Sequence, residues 1–219
     1  MIKKFFRNKK ILITGHTGFK GSWLSLVLKS FGSKVYGYSL KSPTNPSNFS
    51  ALNLKNILNH SFDGNINDYK KLKKYINKVK PEIIFHLAAQ SLVKKSYDET
   101  INTLNTNIMG TANLLQIVKN LNYVRSIILI TSDKCYKNLE KKIGYKESDI
   151  LSGVDPYSAS KACAEIVIYS YIKSFFEKSK KVGVASVRAG NVIGGGDWSE
   201  NRIIPDTIKS IIKKKKNYS

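Results

Sequence analysis

The sequence has few acidic residues and few arginines. Its 219 residues include 37 Lys and Arg against only 15 Asp and Glu, which gives a formal net charge of +22. Four of the basic residues are arginines: Arg7, Arg125, Arg188 and Arg202. Nucleic-acid sites favour arginine, because its guanidinium forms bidentate hydrogen bonds and stacks on bases. Since the lysines are spread along the whole chain, we interpret them as solvated surface and expect no nucleic-acid partner.

Cysteine and long apolar runs are also scarce. The two cysteines, Cys135 and Cys163, provide neither a disulfide framework nor metal-ligand spacing. We therefore expect no metal site and interpret both as buried packing residues. The basic N-terminal stretch is followed by the apolar run ILIT at residues 11–14, which is too short for a signal sequence or a membrane span. These absences predict a cytoplasmic protein with no membrane partner.

Apolar runs alternate with segments of helical periodicity. Strands are predicted at residues 9–15, 34–39, 82–89, 126–132 and 182–190, with a weaker candidate at 57–62. Helices are predicted at residues 23–32, 68–79, 157–176 and over a long stretch ending near Leu121, with a loop at 42–50. Continuous apolar strands that alternate with helices are typical of βαβ units whose sheet is covered on both faces. The predicted fold class is α/β, a doubly wound parallel sheet (Rossmann fold).

A glycine-rich loop, GHTGFKG at residues 15–21, follows the first predicted strand. Glycines allow a tight turn and a close approach to a pyrophosphate, which the free amides at a helix start would stabilise. Glycine serves ordinary tight turns as well, but the position after the first strand of a βαβ unit favours dinucleotide binding. The predicted cofactor-binding residues of this loop are Gly15, Thr17, Gly18, Phe19 and Gly21.

Four motifs together resemble the extended short-chain dehydrogenase/reductases, the NAD-dependent epimerase/dehydratase family that modifies sugar nucleotides. They are GHTGFKG (15–21), HLAAQ (86–90), NIMGT (107–111) and YSASK (157–161). The resemblance implies bound NAD and a small-molecule nucleotide-sugar substrate. It assigns further cofactor contacts to Asn65, Ile66, Leu87, Ala88, Ala89 and Asn107, and a substrate contact to Gln90.

The residues after the second predicted strand leave the choice of dinucleotide open. A ribose-binding carboxylate there would indicate NAD, but the sequence YSLK at residues 38–41 contains none. Lys41 would suit the 2′-phosphate of NADP. We expect NAD on the basis of the resemblance, with NADP as the alternative.

Tyr157 and Lys161 are four residues apart and share one face of a predicted helix. A nearby ammonium favours the phenolate, so we expect Lys161 to lower the pKa of Tyr157 from its reference value near ~10. The pattern YxxxK also arises by chance in a lysine-rich chain. The preceding Asp155-Pro156 loop and the SIILITS strand before it favour a catalytic pair.

The segment TSDKCY at residues 131–136 places charged side chains at the end of an apolar strand. It resembles the cytidine-diphosphate-glucose 4,6-dehydratase branch of the family. The resemblance implies that Ser132 hydrogen-bonds the reacting hydroxyl, that Asp133 is the acid and that Lys134 is the base. Lys134 can act as a base only if burial lowers its pKa. A plain 4-epimerase needs neither charged residue.

A second signature, RAGNVIGGGDW at residues 188–198, resembles the same branch. It implies substrate contacts from Asn191, Asp197, Trp198 and Arg202. We predict a dinucleotide-binding Rossmann domain at residues 1–190 and the start of a sugar-nucleotide-binding lobe at residues 191–219. We expect most of that lobe to be missing.

Several alternatives stay open. They are another nucleotide-sugar 4-epimerase or 4,6-dehydratase, a non-catalytic cofactor-binding fragment and, last, a basic nucleic-acid-binding protein. The resemblance also implies a homodimer formed through the helices that precede and carry Tyr157.

Overall fold

The computed structural model of the protein describes residues 1–179 and 181–216, with side chains described through residue 213. Parallel strands form a six-stranded sheet in the order β3-β2-β1-β4-β5-β6. The strands are β1 (Lys10–Thr14), β2 (Lys34–Ser39), β3 (His60–Asp63), β4 (Ile83–His86), β5 (Ser126–Ser132) and β6 (Gly183–Ala189). The chain moves outward in one direction from β1 and then in the other from β4, which is the doubly wound arrangement. The predicted fold class is confirmed.

Helices connect the strands. They are α1 (Ile2–Phe6), α2 (Phe19–Ser30), α3 (Asn48–Ala51), α4 (Leu54–Ile57), α5 (Tyr69–Val79), α6 (Val93–Asp98), α7 (Thr100–Leu104), α8 (Gly110–Val118), α9 (Pro156–Tyr171), α10 (Glu177–Ser179) and α11 (Ile203–Lys216). π-helical segments at Asn105–Met109 and Ile172–Phe176 continue α7 and α9, and a 3₁₀ turn at Asp133–Cys135 follows β5 directly. Within the described part of the chain, no helix combines the length and apolar character that crossing a membrane requires.

Two apolar clusters form the core, and alternate residues of the same strands supply them. In β1, Ile11 and Ile13 belong to one cluster and Leu12 to the other. Side chains of successive strand residues point to opposite faces, so the two clusters lie on opposite faces of the sheet. This burial holds the central strands rigidly and fixes where their carboxyl ends meet.

Several predicted boundaries were wrong by three or more residues. The start of β3, for example, lies at His60 rather than at residue 57, because Leu54–Ile57 form α4. Helix α2 begins at Phe19 rather than at residue 23, so the last glycine of the loop is helical. The predicted loop at 42–50 ends at Ser47, whose hydroxyl caps α3 by accepting the Ser50 N–H. Strand β4 ends at His86 rather than at residue 89, because the chain leaves the sheet to pack against the glycine loop.

Candidate active site

Strands β1, β4 and β5 are neighbours in the sheet, and their carboxyl ends lie side by side. Gly15 follows β1, Leu87 follows β4, and Ser132 is the last residue of β5. The Leu87 N–H donates to the Thr14 carbonyl at 3.0 Å, which ties the first two segments together. Ligands of doubly wound sheets bind outside the carboxyl ends of the strands where the order reverses. The structure therefore brings three of the predicted motifs to the position expected for a ligand.

Close backbone contacts leave no room for a side chain at two positions of the glycine loop. Gly15 has φ +76°, and a Cβ there would lie 2.6 Å from the backbone nitrogen of Ala88. A Cβ at Gly21 would lie 2.2 Å from the Gly15 carbonyl oxygen. Gly18 is the N-cap of α2, whose first turn contains no acidic residue. Because the first amides of a helix lack intrahelical partners, this loop fits the pyrophosphate of a dinucleotide.

Hydroxyl groups, and no carboxylate, occupy the end of β2 beside this loop. The Thr17 hydroxyl donates to the Leu40 carbonyl at 2.8 Å and lies 2.9 Å from the Ser39 hydroxyl. On the neighbouring strand end, the Asn65 side chain accepts the Asn67 N–H at 2.9 Å. Asn65 therefore caps its own turn through the oxygen of its side chain.

Asn107 holds the segment after β4 in place. It accepts the Gln90 N–H at 2.9 Å and donates to the Gln90 carbonyl at 2.9 Å and the Ser160 hydroxyl at 2.8 Å. The Gln90 amide in turn donates to the Thr103 hydroxyl at 3.0 Å. Both side chains thus link the end of β4 to the helices around it. The other predicted contacts of this region are the buried Ile66 and the half-buried Leu87, Ala88 and Ala89.

Two buried histidines support the sheet edge. His86 lies 2.7 Å from the Thr14 hydroxyl and 3.2 Å from the Thr111 hydroxyl, and burial lowers its pKa to about 3. His16 lies 2.7 Å from the Ser61 hydroxyl, and burial lowers its pKa to about 4. Both are therefore neutral at physiological pH. No cluster of His, Cys, Asp or Glu suited to a metal ion occurs in residues 1–179 and 181–216.

Helix α9 presents Tyr157 and Lys161 to the end of β5. The Asp155 side chain caps the helix by accepting the Ser158 N–H at 3.0 Å. Tyr157 and Lys161 are both buried, and the Lys161 ammonium lies 3.4 Å from the Ile130 carbonyl. The capped first turn thus places both predicted catalytic side chains one helical turn apart beside β5.

Burial dominates the protonation of this pair. It raises the pKa of Tyr157, and a hydrogen bond with Ser132 offsets only part of that increase. The predicted lowering of the Tyr157 pKa was therefore wrong. Burial, with a smaller contribution from the nearby Lys20 charge, also lowers the pKa of Lys161 to about 8.

The turn after β5 carries the predicted acid and base. The Ser132 hydroxyl donates to the Asp133 carboxylate at 2.9 Å and accepts the Lys134 N–H at 3.2 Å. Ser132 is buried, whereas Asp133 and Lys134 are exposed. Lys134 therefore lacks, in this structure, the burial on which its predicted role as a base depends.

The loop after β6 passes from this turn to the start of α2. A Cβ on Gly190 would lie 3.9 Å from the Asp133 carboxylate, and one on Gly194 would lie 3.2 Å from the Phe19 ring. The Trp23 indole N–H donates to the Gly195 carbonyl at 2.9 Å. The loop therefore borders both the glycine loop and the turn that carries the predicted acid.

Two of the residues predicted to contact the substrate in this region bind each other instead. The Arg202 guanidinium donates to the Asp197 carboxylate at 2.7 Å. The Trp198 carbonyl accepts from the Lys209 ammonium at 2.9 Å, while Asn191 is exposed. The structure thus makes Asp197 and Arg202 an ion pair that the sequence pattern did not predict.

Lys20 is a site residue that the sequence analysis missed. Burial lowers its pKa, the nearby Arg202 charge lowers it further, and the Asp133 charge opposes that shift. Its charge therefore lies close to both side chains. The sequence feature that could have identified Lys20 is its position inside the glycine loop.

Glu165 and Arg188 were also missed as interacting residues. Glu165 lies one turn beyond Lys161 on the same face of α9, and its carboxylate accepts from Arg188 at 3.0 Å. The sequence feature that could have identified Glu165 is its i,i+4 spacing from Lys161, which places both on one helical face. On another face of α9, Cys163 is exposed rather than buried as predicted.

Comparison with known proteins agrees with this geometry. The family model described as GDP-mannose 4,6 dehydratase matches residues 12–216. CDP-glucose 4,6-dehydratase of Salmonella typhimurium is 50% identical over 212 residues, which cover 95% of this chain and 59% of that protein. dTDP-D-glucose 4,6-dehydratase of Dictyostelium discoideum is 35% identical over 221 residues, covering 95% of this chain and 49% of the relative.

A solved structure shares both the fold and part of the sequence. It is dTDP-glucose 4,6-dehydratase from Bacillus anthracis in complex with NAD, with a TM-score of 0.75 and 26% identity. The match covers 93% of this chain and 61% of the solved chain. The chain thus spans between about half and three fifths of the lengths of these relatives. Sequence motifs, sheet topology and these matches agree, and the chain belongs to the GDP-mannose 4,6 dehydratase family.

Proposed function

We propose that this chain catalyses the NAD-dependent dehydration of CDP-glucose to CDP-4-keto-6-deoxyglucose. The observation that carries the proposal is the turn Ser132-Asp133-Lys134 beside Tyr157 and Lys161, since removal of water needs an acid and a base in addition to the tyrosine. The 50% identity to a CDP-glucose 4,6-dehydratase supports the nucleotide and the sugar.

The glycine loop supports NAD as the cofactor. Gly15 and Gly21 allow the close backbone packing that shapes this loop, and the start of α2 offers free amides. Thr17, Gly18 and Phe19 would contact the pyrophosphate, while Asn65, Ile66 and the segment 87–89 would contact the rest of the dinucleotide. Held by these residues, NAD would supply reversible hydride transfer between C4 and C6 of the glucose.

Tyr157 takes the proton of the glucose 4-hydroxyl in this proposal. Ser132 donates a hydrogen bond to the same oxygen, and the Lys161 ammonium stabilises the phenolate that Tyr157 needs to act as a base. Because burial raises the pKa of Tyr157, the phenolate depends on stabilisation by a positive charge, which the proposal assigns to Lys161.

Asp133 and Lys134 carry out the elimination. Oxidation at C4 produces a ketone, which acidifies the C5 proton. Lys134 removes that proton once the bound sugar covers it, and Asp133 donates a proton to the departing 6-hydroxyl. Lys134 then returns the proton to C5 when hydride is added at C6. The adjacent positions of Asp133 and Lys134 on one short turn support their action on neighbouring carbons.

The remaining predicted contacts complete the proposed site. Gln90 borders the sugar, and Asn191, Asp197, Trp198 and Arg202 contact the nucleotide sugar. We assign dinucleotide binding to residues 1–190 and sugar-nucleotide binding to the segment that begins at 191.

A homodimer through α6, α7 and α9 is part of the proposal. The exposed face of these helices carries large apolar side chains, which an intersubunit contact would bury. They are Tyr97, Ile101, Ile166 and Tyr169. A cytoplasmic location stays a prediction.

The test is the mass of the product after incubation of the chain with NAD and, separately, CDP-, dTDP-, UDP- and GDP-glucose. Loss of one water from CDP-glucose alone, abolished by Tyr157→Phe, is the expected result. Loss of water from another nucleotide sugar would overturn the nucleotide assignment. A product of unchanged mass but altered configuration would indicate a 4-epimerase, and unchanged substrate with bound NAD would indicate a cofactor-binding fragment.

A further inference from the structure

Glu165 is a buried carboxylate that the proposed chemistry does not use. Its side chain is 5% exposed. One oxygen accepts from the Thr131 hydroxyl, and the other accepts from the Ser186 hydroxyl at 3.0 Å and from the Arg188 guanidinium at 3.0 Å. Three donors from two neighbouring strands therefore converge on one carboxylate of α9. Buried charges are costly unless they are paired and hydrogen-bonded, so this arrangement needs all its partners.

Arg188 extends the network to the far side of the turn. A second nitrogen of its guanidinium donates to the Glu147 carbonyl at 3.1 Å. The guanidinium carbon lies 4.8 Å from the centroid of the Tyr136 ring, which stacks on Tyr145 at 5.1 Å. A planar guanidinium can satisfy the carboxylate, the carbonyl and the ring at once, which an ammonium cannot.

These contacts hold both ends of one short segment. Thr131 immediately precedes Ser132, and Tyr136 immediately follows the 3₁₀ turn Asp133–Cys135. We infer that the Glu165–Arg188 ion pair positions this turn by clamping Thr131 at its start and Tyr136 at its end. The inference deepens the proposed function, because the clamped turn carries the side chains to which we assign the acid and the base.

The clamp also reaches the segment that follows the turn. The Lys137 N–H donates to the Ile150 carbonyl at 2.8 Å, and the Ser152 N–H donates to the Cys135 carbonyl at 2.8 Å. With the Arg188 contact to the Glu147 carbonyl, these bonds fold residues 137–152 back on the turn. Loss of the ion pair should therefore loosen a local unit and leave β1 and β2 unaffected.

The decisive experiment is amide hydrogen exchange on variants of the pair. Arg188→Lys keeps the positive charge but removes the planar guanidinium with its several N–H donors and its stacking on Tyr136. Glu165→Gln keeps the shape of the carboxylate and removes its charge. Glu177→Gln is the matched control, because it removes the exposed Lys173–Glu177 pair just beyond the same helix. We expect the amides of Lys134, Tyr136, Lys137 and Ser152 to exchange at least about tenfold faster in both clamp variants.

Exchange of those amides at the parent rate in a folded Arg188→Lys protein would overturn the inference. So would a uniform increase across the sheet, since that would mean a general loss of stability. If Glu165→Gln does not fold, Arg188→Lys decides alone, because it leaves no buried charge without a partner. These outcomes need no turnover, so they separate the clamp from the proposed reaction.

Kinetics supply the second readout when the parent chain dehydrates CDP-glucose. A displaced turn should lower kcat by roughly 10- to 100-fold, with KM within about threefold of the parent. Glu177→Gln should leave both constants unchanged. Parent-like kcat in Arg188→Lys, measured below its unfolding temperature, would contradict a positioning role. A parent chain that does not dehydrate would refute the proposed function, while hydrogen exchange would still decide the clamp.

Discussion

The glycine loop at residues 15–21 and the loop at residues 190–202 contact each other but are built in different ways. In the first, backbone packs on backbone, as at Gly15 against Ala88 and Gly21 against Gly15. In the second, residues 190–195 are exposed, and the contacts are single polar bonds such as that between Trp23 and Gly195. The first loop is therefore ordered by the fold itself, whereas the second depends on a few side chains.

Because of this difference, we expect the two loops to differ in how well they tolerate substitutions. A close-packed backbone has no room to adjust, so one added methyl group must displace the chain. An exposed loop held by side chains accommodates small changes more easily, because its neighbours can move. We expect the glycine loop to be sensitive in both stability and cofactor binding, and the second loop to be sensitive mainly in substrate binding.

The largest effect is expected at Gly21. The Cβ of Gly21→Ala would lie 2.2 Å from the Gly15 carbonyl oxygen and 2.8 Å from the His16 Cα. We expect a protein that fails to fold or binds NADH at least about 100-fold more weakly, by fluorescence titration and circular dichroism. Gly195→Ala is the matched control, since nothing lies within 4 Å of its Cβ. Equal NADH affinity in the two variants would contradict the claim that the glycine loop is the more sensitive of the two loops.

A large effect confined to turnover is expected at Tyr157. Tyr157→Phe removes the proposed base and keeps the ring packed beside β5. We expect kcat to fall by roughly 10²- to 10⁴-fold, as is typical of a lost general base. NADH affinity should stay within about threefold, because the glycine loop is untouched. A variant that dehydrates CDP-glucose at the parent rate would exclude Tyr157 as the base.

An intermediate effect is expected on lowering the pH. His86 and His16 have folded-state pKa values of about 3 and about 4, below the unfolded value near 6.5. The unfolded chain therefore binds more protons between those values, and stability is lost as pH falls through that window. From pH 7.5 to 5.5, each buried histidine should cost roughly 1 kcal/mol in the free energy of unfolding. Urea titrations measure this loss, which should be smaller in His86→Asn.

The absence of that difference would count against the buried neutral state of His86. His86→Asn keeps a polar group between Thr14 and Thr111, so the parent and the variant can be compared in the same pH range.

The smallest effect is expected in the second loop. Asp197→Asn removes an ion pair in which the Asp197 side chain is 6% and the Arg202 side chain 32% exposed. Since the Asn oxygen can still accept the Ser199 N–H, the free energy of unfolding should fall by only about 1 kcal/mol. KM for CDP-glucose should rise several-fold with little change in NADH affinity. A fall in NADH affinity as large as that of Gly21→Ala would mean that the two loops act as one unit.

Local patterns predicted much of the fold and part of the site. Strand β5 lies where its apolar run placed it, and Tyr157 and Lys161 share a helical face as their spacing predicts. The α/β class followed from the alternation of such segments. These features depend on residues close together in the chain.

Features set by distant residues were not predictable in this way. The raised pKa of Tyr157 depends on burial by the surrounding segments, which outweighs the hydrogen bond with Ser132. The His16 contact with Ser61 joins residues 45 positions apart. The Glu165–Arg188 pair likewise joins a helix to an edge strand. Sequence spacing identifies such side chains but does not reveal their partners or their exposure, as the exposed Lys134 also shows.

The most direct test of the account is the fate of a deuterium label at C4 of CDP-glucose after incubation with the chain and NAD. The expected product has lost one water and carries the deuterium at C6, because the hydride leaves C4 and returns to C6. Deuterium returned to C4 of an epimerised sugar would contradict dehydration. Unchanged labelled CDP-glucose in the presence of bound NAD would contradict catalysis by this chain.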